Sequence, residues 1–205
     1  MKALLDGNPI DLDRPTLAAC ISAGAKRAES LGRIIIEVKA DGASVLGDQL
    51  ANPSDVPGVH TEVLMISADP RTLVRVSLHD AIEALTTLKP LHSAVADALT
   101  AGNIQAAMDQ LREVLGTWQA VQELIEHSRV ILRVDLSKVA MTDGNAGFDE
   151  QAQKFVVVSK SIQQAVQNQD WSALSDIVAY DLDAAADGWS LLLRALSEHV
   201  QKMKP

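Results

Sequence analysis

An α+β fold is what this sequence predicts: a small N-terminal ββαββ unit over residues 1–69, then an antiparallel four-helix bundle over residues 70–205. Three observations carry that expectation. Residues 1–69 hold short β-like runs punctuated by Asp-Gly, Asn-Pro and Pro-Gly pairs, the chemistry of turns. From Asp69 onward the apolar residues recur at helical spacing instead. And 205 residues, 47% of them apolar, suffice to bury a core without a disulfide or metal staple.

Lys2–Leu5 and Pro9–Leu12 flank Asp6-Gly7-Asn8 and read as a hairpin. Pro15 marks a helix start, and Leu17, Cys20, Ile21, Gly24 and Leu31 give that helix an apolar side. Gly32 ends it. Arg33–Ala40 (RIIIEVKA) is the clearest strand in the chain. Asp41-Gly42 then turns into a Pro-rich loop through Pro53 and Pro57, and Thr61–Ser67 is the last strand, in a sheet that is antiparallel or mixed.

The bundle opens at Asp69-Pro70, an N-cap acid followed by proline in the first turn. Leu78, Leu85, His92 and Leu99 recur every seven residues, with Ala81, Leu88 and Val95 between them, as on a bundle seam. Pro90 lacks the N–H for one helical hydrogen bond, so a kink or break is expected there. Gly102-Asn103 ends this helix and caps the next, whose stripe runs Ile104, Met108, Leu111, Leu115, Trp118, Ile125 and Leu132. Residues 141–147 form a turn-rich connection. A third helix from about Phe148 places Ala152, Phe155, Ser159, Ile162 and Val166 on its seam, although the run Val156-Val157-Val158 is β-branched. Asp170 caps the fourth, with Leu174, Val178, Leu182, Ala185, Trp189, Leu192 and Leu196 on its stripe. The two helical hairpins share a faint repeat, Ala98-Leu99 with Asn103-Ile104 against Ala165-Val166 with Asp170-Trp171, which common punctuation explains.

The formal charge is -9, and the 18 Lys and Arg residues never cluster, which argues against nucleic acid as a partner because a phosphate backbone demands a basic patch. No stretch approaches the roughly 20 apolar residues of a membrane span. Asp6 and Gly7 interrupt the start before a signal region could form, and a single cysteine fits a reducing compartment, so a cytoplasmic protein is expected. The chain contains no Glu-x-x-His, no His-Glu-x-x-His and no phosphate-binding glycine loop. Asp143-Gly144-Asn145 resembles the opening of a calcium loop, but Lys154 stands where the twelfth-position carboxylate belongs. No catalytic, cofactor-binding or metal-ligating residue is assigned, and the expectation is that the protein is not an enzyme.

Cys20 falls on an apolar helix side and reads as packed, and His92 reads as a neutral histidine hydrogen-bonded at the edge of the core. On a regular helix Asp181 lies in the middle of the fourth stripe, so it needs a donor there, or the helix must break near Gly188. Trp118 and Trp189 read as core, while Trp171 follows a cap at a turn and is partly exposed. The candidate partner-binding residues are Trp171, Tyr180 and Asp181, a polar and aromatic set suited to a specificity contact in a groove.

Across residues 71–192 the order of features resembles the flagellin export chaperone family, of FliS type. A first helix with Leu73, Ala81 and Ile82 precedes an Ala-Gly-Asn-Ile turn with Ala106-Ala107 after it. Leu124 and Leu132 then precede Asp135-Leu136, a polar turn stands at Asn168-Gln169-Asp170, and the last helix carries Leu174, Ile177, Val178 and Trp189. The resemblance implies a four-helix bundle that keeps a disordered export substrate unpolymerised in apolar grooves. This chain departs from that pattern in its N-terminal α/β unit and its less regular third helix, and no groove residue is carried over. The function expected is therefore a protein-binding module for a flagellin-like export substrate or another helical partner. A structural or regulatory homo-oligomer is the alternative.

Overall fold

The computed structural model describes residues 1–139 and 147–203, and the chain divides into two compact units, Met1–Leu73 and Val74–Lys204. The expected connection at 141–147 lies, but for Gly147, outside the described residues.

In the first unit five strands form a mixed sheet in the order β2-β1-β5-β3-β4. They are β1 (Lys2–Leu5), β2 (Asn8–Pro9), β3 (Ile34–Ala40), β4 (Ala43–Ser44) and β5 (Glu62–Ala68). The central strand β5 runs parallel to β1 and antiparallel to β3. Helix α1 (Leu17–Ser30) packs on one face, burying Leu17, Cys20, Gly24 and Ala28 with Ala3, Leu5, Val38, Val63 and Met65. Its cap is Thr16, whose side chain accepts from the Ala19 N–H, so Pro15 stands before the cap rather than inside the first turn. A Cβ on Gly24 would lie 2.3 Å from Met65 Sδ, so a larger residue there would force the Met65 side chain to move.

The sheet is held by two Asp-Gly turns. Asp6-Gly7 and Asp41-Gly42 each place both residues at positive φ, the geometry of a two-residue hairpin. The first turn is thus a residue shorter than expected, and β2 covers Asn8–Pro9 instead of extending to Leu12. Each aspartate also reaches across to β5. Asp6 accepts from the Ser67 hydroxyl at 2.6 Å and the Ser67 N–H at 2.8 Å. Asp41 accepts from the N–H groups of Thr61 and Glu62, both at 2.9 Å, and from the Thr61 hydroxyl. The central strand is therefore clamped at both ends by carboxylates of the turns. Within the Pro-rich loop, the two-residue β4 and the single-turn α2 (Asp48–Ala51) are additions to the expected ββαββ order.

The second unit is helical. Helix α3 (Pro70–Thr100) runs without a break through Pro90, so of the expected kink or break the break does not occur. Pro90 is exposed, and so is Thr86, whose carbonyl the missing N–H would have served, so water can take that bond. Gly102, at positive φ, closes a tight turn in which Asn103 N–H donates to the Ala98 carbonyl. Asn103 occupies the cap of α4 (Ile104–Leu132), but its side chain makes no capping bond. The buried line of α4 is Ala107, Leu111, Val114, Trp118, Val121 and Ile125. Ile104, Met108, Leu115 and Leu132, expected on the seam, sit at its margin. A short 3-10 turn (Leu136–Lys138) follows, with Val134, Leu136 and Val139 buried in the same core.

Helix α5 (Phe148–Gln167) is regular through the valine run, with Val156 and Val157 facing outward. The turn after it repeats the α3–α4 turn: Asn168, Gln169 and Asp170 donate to Gln164, Val166 and Ala165 as Ala101, Gly102 and Asn103 donate to Asp97, Leu99 and Ala98. The faint sequence repeat is thus a repeated turn geometry. Asp170 caps α6 (Trp171–Asp176) by accepting from the Ala173 N–H. A π-helical turn (Ile177–Asp181) then leads into α7 (Leu182–Lys202). All six aromatic residues belong to this helical unit. Four of them, Trp118, Phe148, Phe155 and Trp189, form one cluster with ring centroids 4.4 to 6.1 Å apart.

Candidate functional site

The helical unit carries two grooves on either side of α5. One, of about 720 Å³, lies between α4 and α5 and is floored by Met108, Leu111, Leu115, Ile162 and Val166. Arg112, Ser159, Gln163 and Gln167 complete it, and Arg112 is held by Asp109 at 2.9 Å. It exists because the apolar stripe of α4 is wider than its buried line. Met108 and Leu115 flank Leu111 without entering the core, so apolar surface is left at the helix margin.

The second groove, of about 590 Å³, lies between α5 and the start of α7 and is more polar, with Glu150, Gln151, Lys154, Val157, Asp181 and Ala185 among its lining. Lys154 pairs with Glu150 at 2.9 Å. Gln151 is buried against Gly188, where a Cβ would lie 2.6 Å from its Oε1, so α5 and α7 approach closely at this glycine without the helix breaking there.

The three residues expected to bind a partner do not share a groove. Asp181 is exposed at the rim of the second groove, not in the middle of the fourth stripe. The π turn explains the correction: it takes up one extra residue, so Leu182 follows Val178 into the core and Asp181 turns outward. Tyr180, 71% exposed, is next to it but lines neither groove. Trp171, at the start of α6, is half-buried against the core. The groove-forming residues Met108, Leu115 and Val166 went unrecognised as such because a stripe count does not separate its centre from its edges.

Two polar contacts hold α3 to α7. His92, fully buried, places Nδ1 2.6 Å from an Asp183 carboxylate oxygen, while its Nε2 is buried without a partner among the described residues. One turn away Lys89 reaches Asp187 at 2.7 Å, and that carboxylate raises the Lys89 pKa. His92 is thus a hydrogen-bonded histidine of the interior. Among the described residues no group of His, Cys, Asp and Glu is placed to hold a metal ion. No described helix is long and apolar enough to cross a membrane.

No curated protein and no solved structure matches this chain. A family model does, over residues 76–191, which spans nearly all of the helical unit up to the middle of α7 and none of the sheet. With more than half of its residues matched, this chain belongs to the family described as a domain of unknown function (DUF8042).

Proposed function

We propose that this protein is a non-enzymatic binding module whose helical unit holds an amphipathic helix of a protein partner in the groove between α4 and α5. The observation that carries this reading is the groove's composition: five apolar side chains on two adjacent helices, rimmed by an arginine and two glutamines. An amphipathic helix lays its apolar face into such a groove through anchors about one turn apart, while its polar face stays with the rim. The resemblance to flagellin export chaperones suggests the partner class, an exported filament protein held unpolymerised in the cytoplasm through a terminal helix. A photo-crosslinking residue at position 115, with purified flagellin as the probe, tests this. Crosslinks that vanish when the terminal helix of flagellin is deleted support the reading. Crosslinking that is equally strong from Gln119, on the outward side of α4, removes it.

A homo-oligomeric structural role is the second reading, favoured by Val130, Ile131, Val156 and Val157, all exposed. Light scattering on the purified chain decides between them, since a stable dimer without partner supports self-association.

A further inference from the structure

We propose that the first unit carries a strand-addition site: a groove along the free edge of β3 that takes an extended segment of a partner protein, apolar at alternate positions and with a basic residue opposite Glu29. The edge is the first observation. β4 pairs with β3 only at Lys39 and Ala40, and Val45 adds one bond to the Val38 carbonyl. Ile34–Glu37 therefore have no backbone partner on their outer side among the described residues. Such a row of N–H and C=O groups, left to water when free, is a ready template for another extended backbone.

The second observation is that this edge floors a groove of about 830 Å³. Ile21, Ala25 and Glu29 of α1 wall one side, and Val45, Leu46 and Leu50 the other. Leu46 is 71% exposed, Ile36 51% and Leu50 43%, a concentration of bare aliphatic surface beside an open ladder. A bulge between Ile35 and Glu37 interrupts the register with β5. Bulges at an edge discourage open-ended stacking of sheets, so pairing here is limited to a short segment.

Charge sets the rest. Of the three charged residues in the groove, Arg33 is held by Ser67 with Asp6 at 3.6 Å, and Glu37 pairs with Lys39 at 2.8 Å. Glu29, exposed on the α1 wall, has no partner among the described residues, which leaves a negative charge for a lysine or arginine of the incoming strand.

The test uses the full-length protein as bait for a phage-displayed library of random dodecapeptides, and titrates a synthesised winner into isotope-labelled protein. Winners should alternate apolar residues around a Lys or Arg and shift the amide resonances of Ile34–Glu37. Methylating alternate backbone nitrogens of the peptide removes about two hydrogen bonds and should weaken binding about tenfold or more. Glu29→Lys should weaken it too, and replacing the peptide's basic residue by Glu should restore it. Four results overturn the proposal: no enriched peptide, shifts confined to the α4–α5 groove, indifference to N-methylation, or indifference to Glu29→Lys. A dimer joined β3 to β3 in solution overturns it as well, by giving the edge to a second copy.

Discussion

His92 shows what one polar residue costs inside an apolar seam. Its ring is buried, and Asp183 supplies the only partner it has among the described residues. Asp183→Ala leaves the imidazole buried with neither nitrogen bonded, a loss of about 1–3 kcal/mol. His92→Leu combined with Asp183→Ala should recover most of it, because replacing both partners by apolar groups strands no polar atom. Urea denaturation of the single and double variants measures this, and equal stability of wild type and Asp183→Ala would show that the bond contributes nothing.

The turn aspartates make a prediction about pH. The Ser67 hydroxyl, then its N–H and Arg33, hold the Asp6 pKa below its ordinary value. The Thr61 hydroxyl, then the N–H groups of Glu62 and Thr61 and the His60 ring, hold Asp41 well below the usual carboxylate range. Folded pKa values lower than unfolded ones mean stability that is present in full above about pH 4 and lost as pH falls through the folded values. Amide-exchange protection factors at Thr61, Glu62 and Ser67 should therefore fall on acidification. Asp41→Asn should remove that dependence at the Thr61 end alone.

Among the elements, the π turn is the most instructive. Leu174, Val178, Leu182 and Ala186 are all buried and are spaced by four residues each time. At about 100° per residue, three such steps carry a regular helix roughly 120° away from the core. Absorbing one extra residue at Ile177–Asp181 brings the line back. It follows that deleting Tyr180, which is exposed, should restore a regular helix and keep the downstream core residues in place. A thermal melt should show cooperative unfolding for that deletion. Deleting Arg194, which rotates Leu196 and Val200 out of the core, should abolish it.

The same element marks the limit of what the sequence makes legible. Heptad spacing and caps locate the long helices, with Leu17, Ile104, Phe148 and Trp171 each beginning one close to its expected start. Their signal repeats over many turns, so no single residue decides it. β4 and α2 are too short to carry a period at all. Asp181 is misplaced because a count at 3.6 residues per turn has no way to register one inserted residue. Of the candidate residues only Asp181 lines a groove, and the larger apolar groove of the helical unit was hidden in a stripe read as core.

On the scale of the molecule, two units of different grammar offer surfaces of distinct chemistry, helix-lined grooves in one and an open sheet edge in the other. Leu115→Arg places a charge in the α4–α5 groove at a position already 37% exposed. Surface changes of this kind usually alter stability by no more than about 0.5 kcal/mol. If the proposed groove reading holds, isothermal titration with flagellin should nonetheless show binding lost, and unchanged affinity would exclude this groove. The family match covers only the helical unit, so the sheet unit must be probed in its own right.

That probing has a practical constraint, set by where the aromatic residues lie. With every Trp, Tyr and Phe in the helical unit, the N-terminal unit has no aromatic chromophore of its own. Tryptophan emission and near-ultraviolet dichroism report on the packing around Trp118 and Trp189, and a variant that melts the five-stranded sheet can pass either assay as native. A single sharp transition in an aromatic signal is thus a statement about the helical unit alone. Any claim of cooperativity for the whole chain needs a label or a resonance placed among residues 1–73.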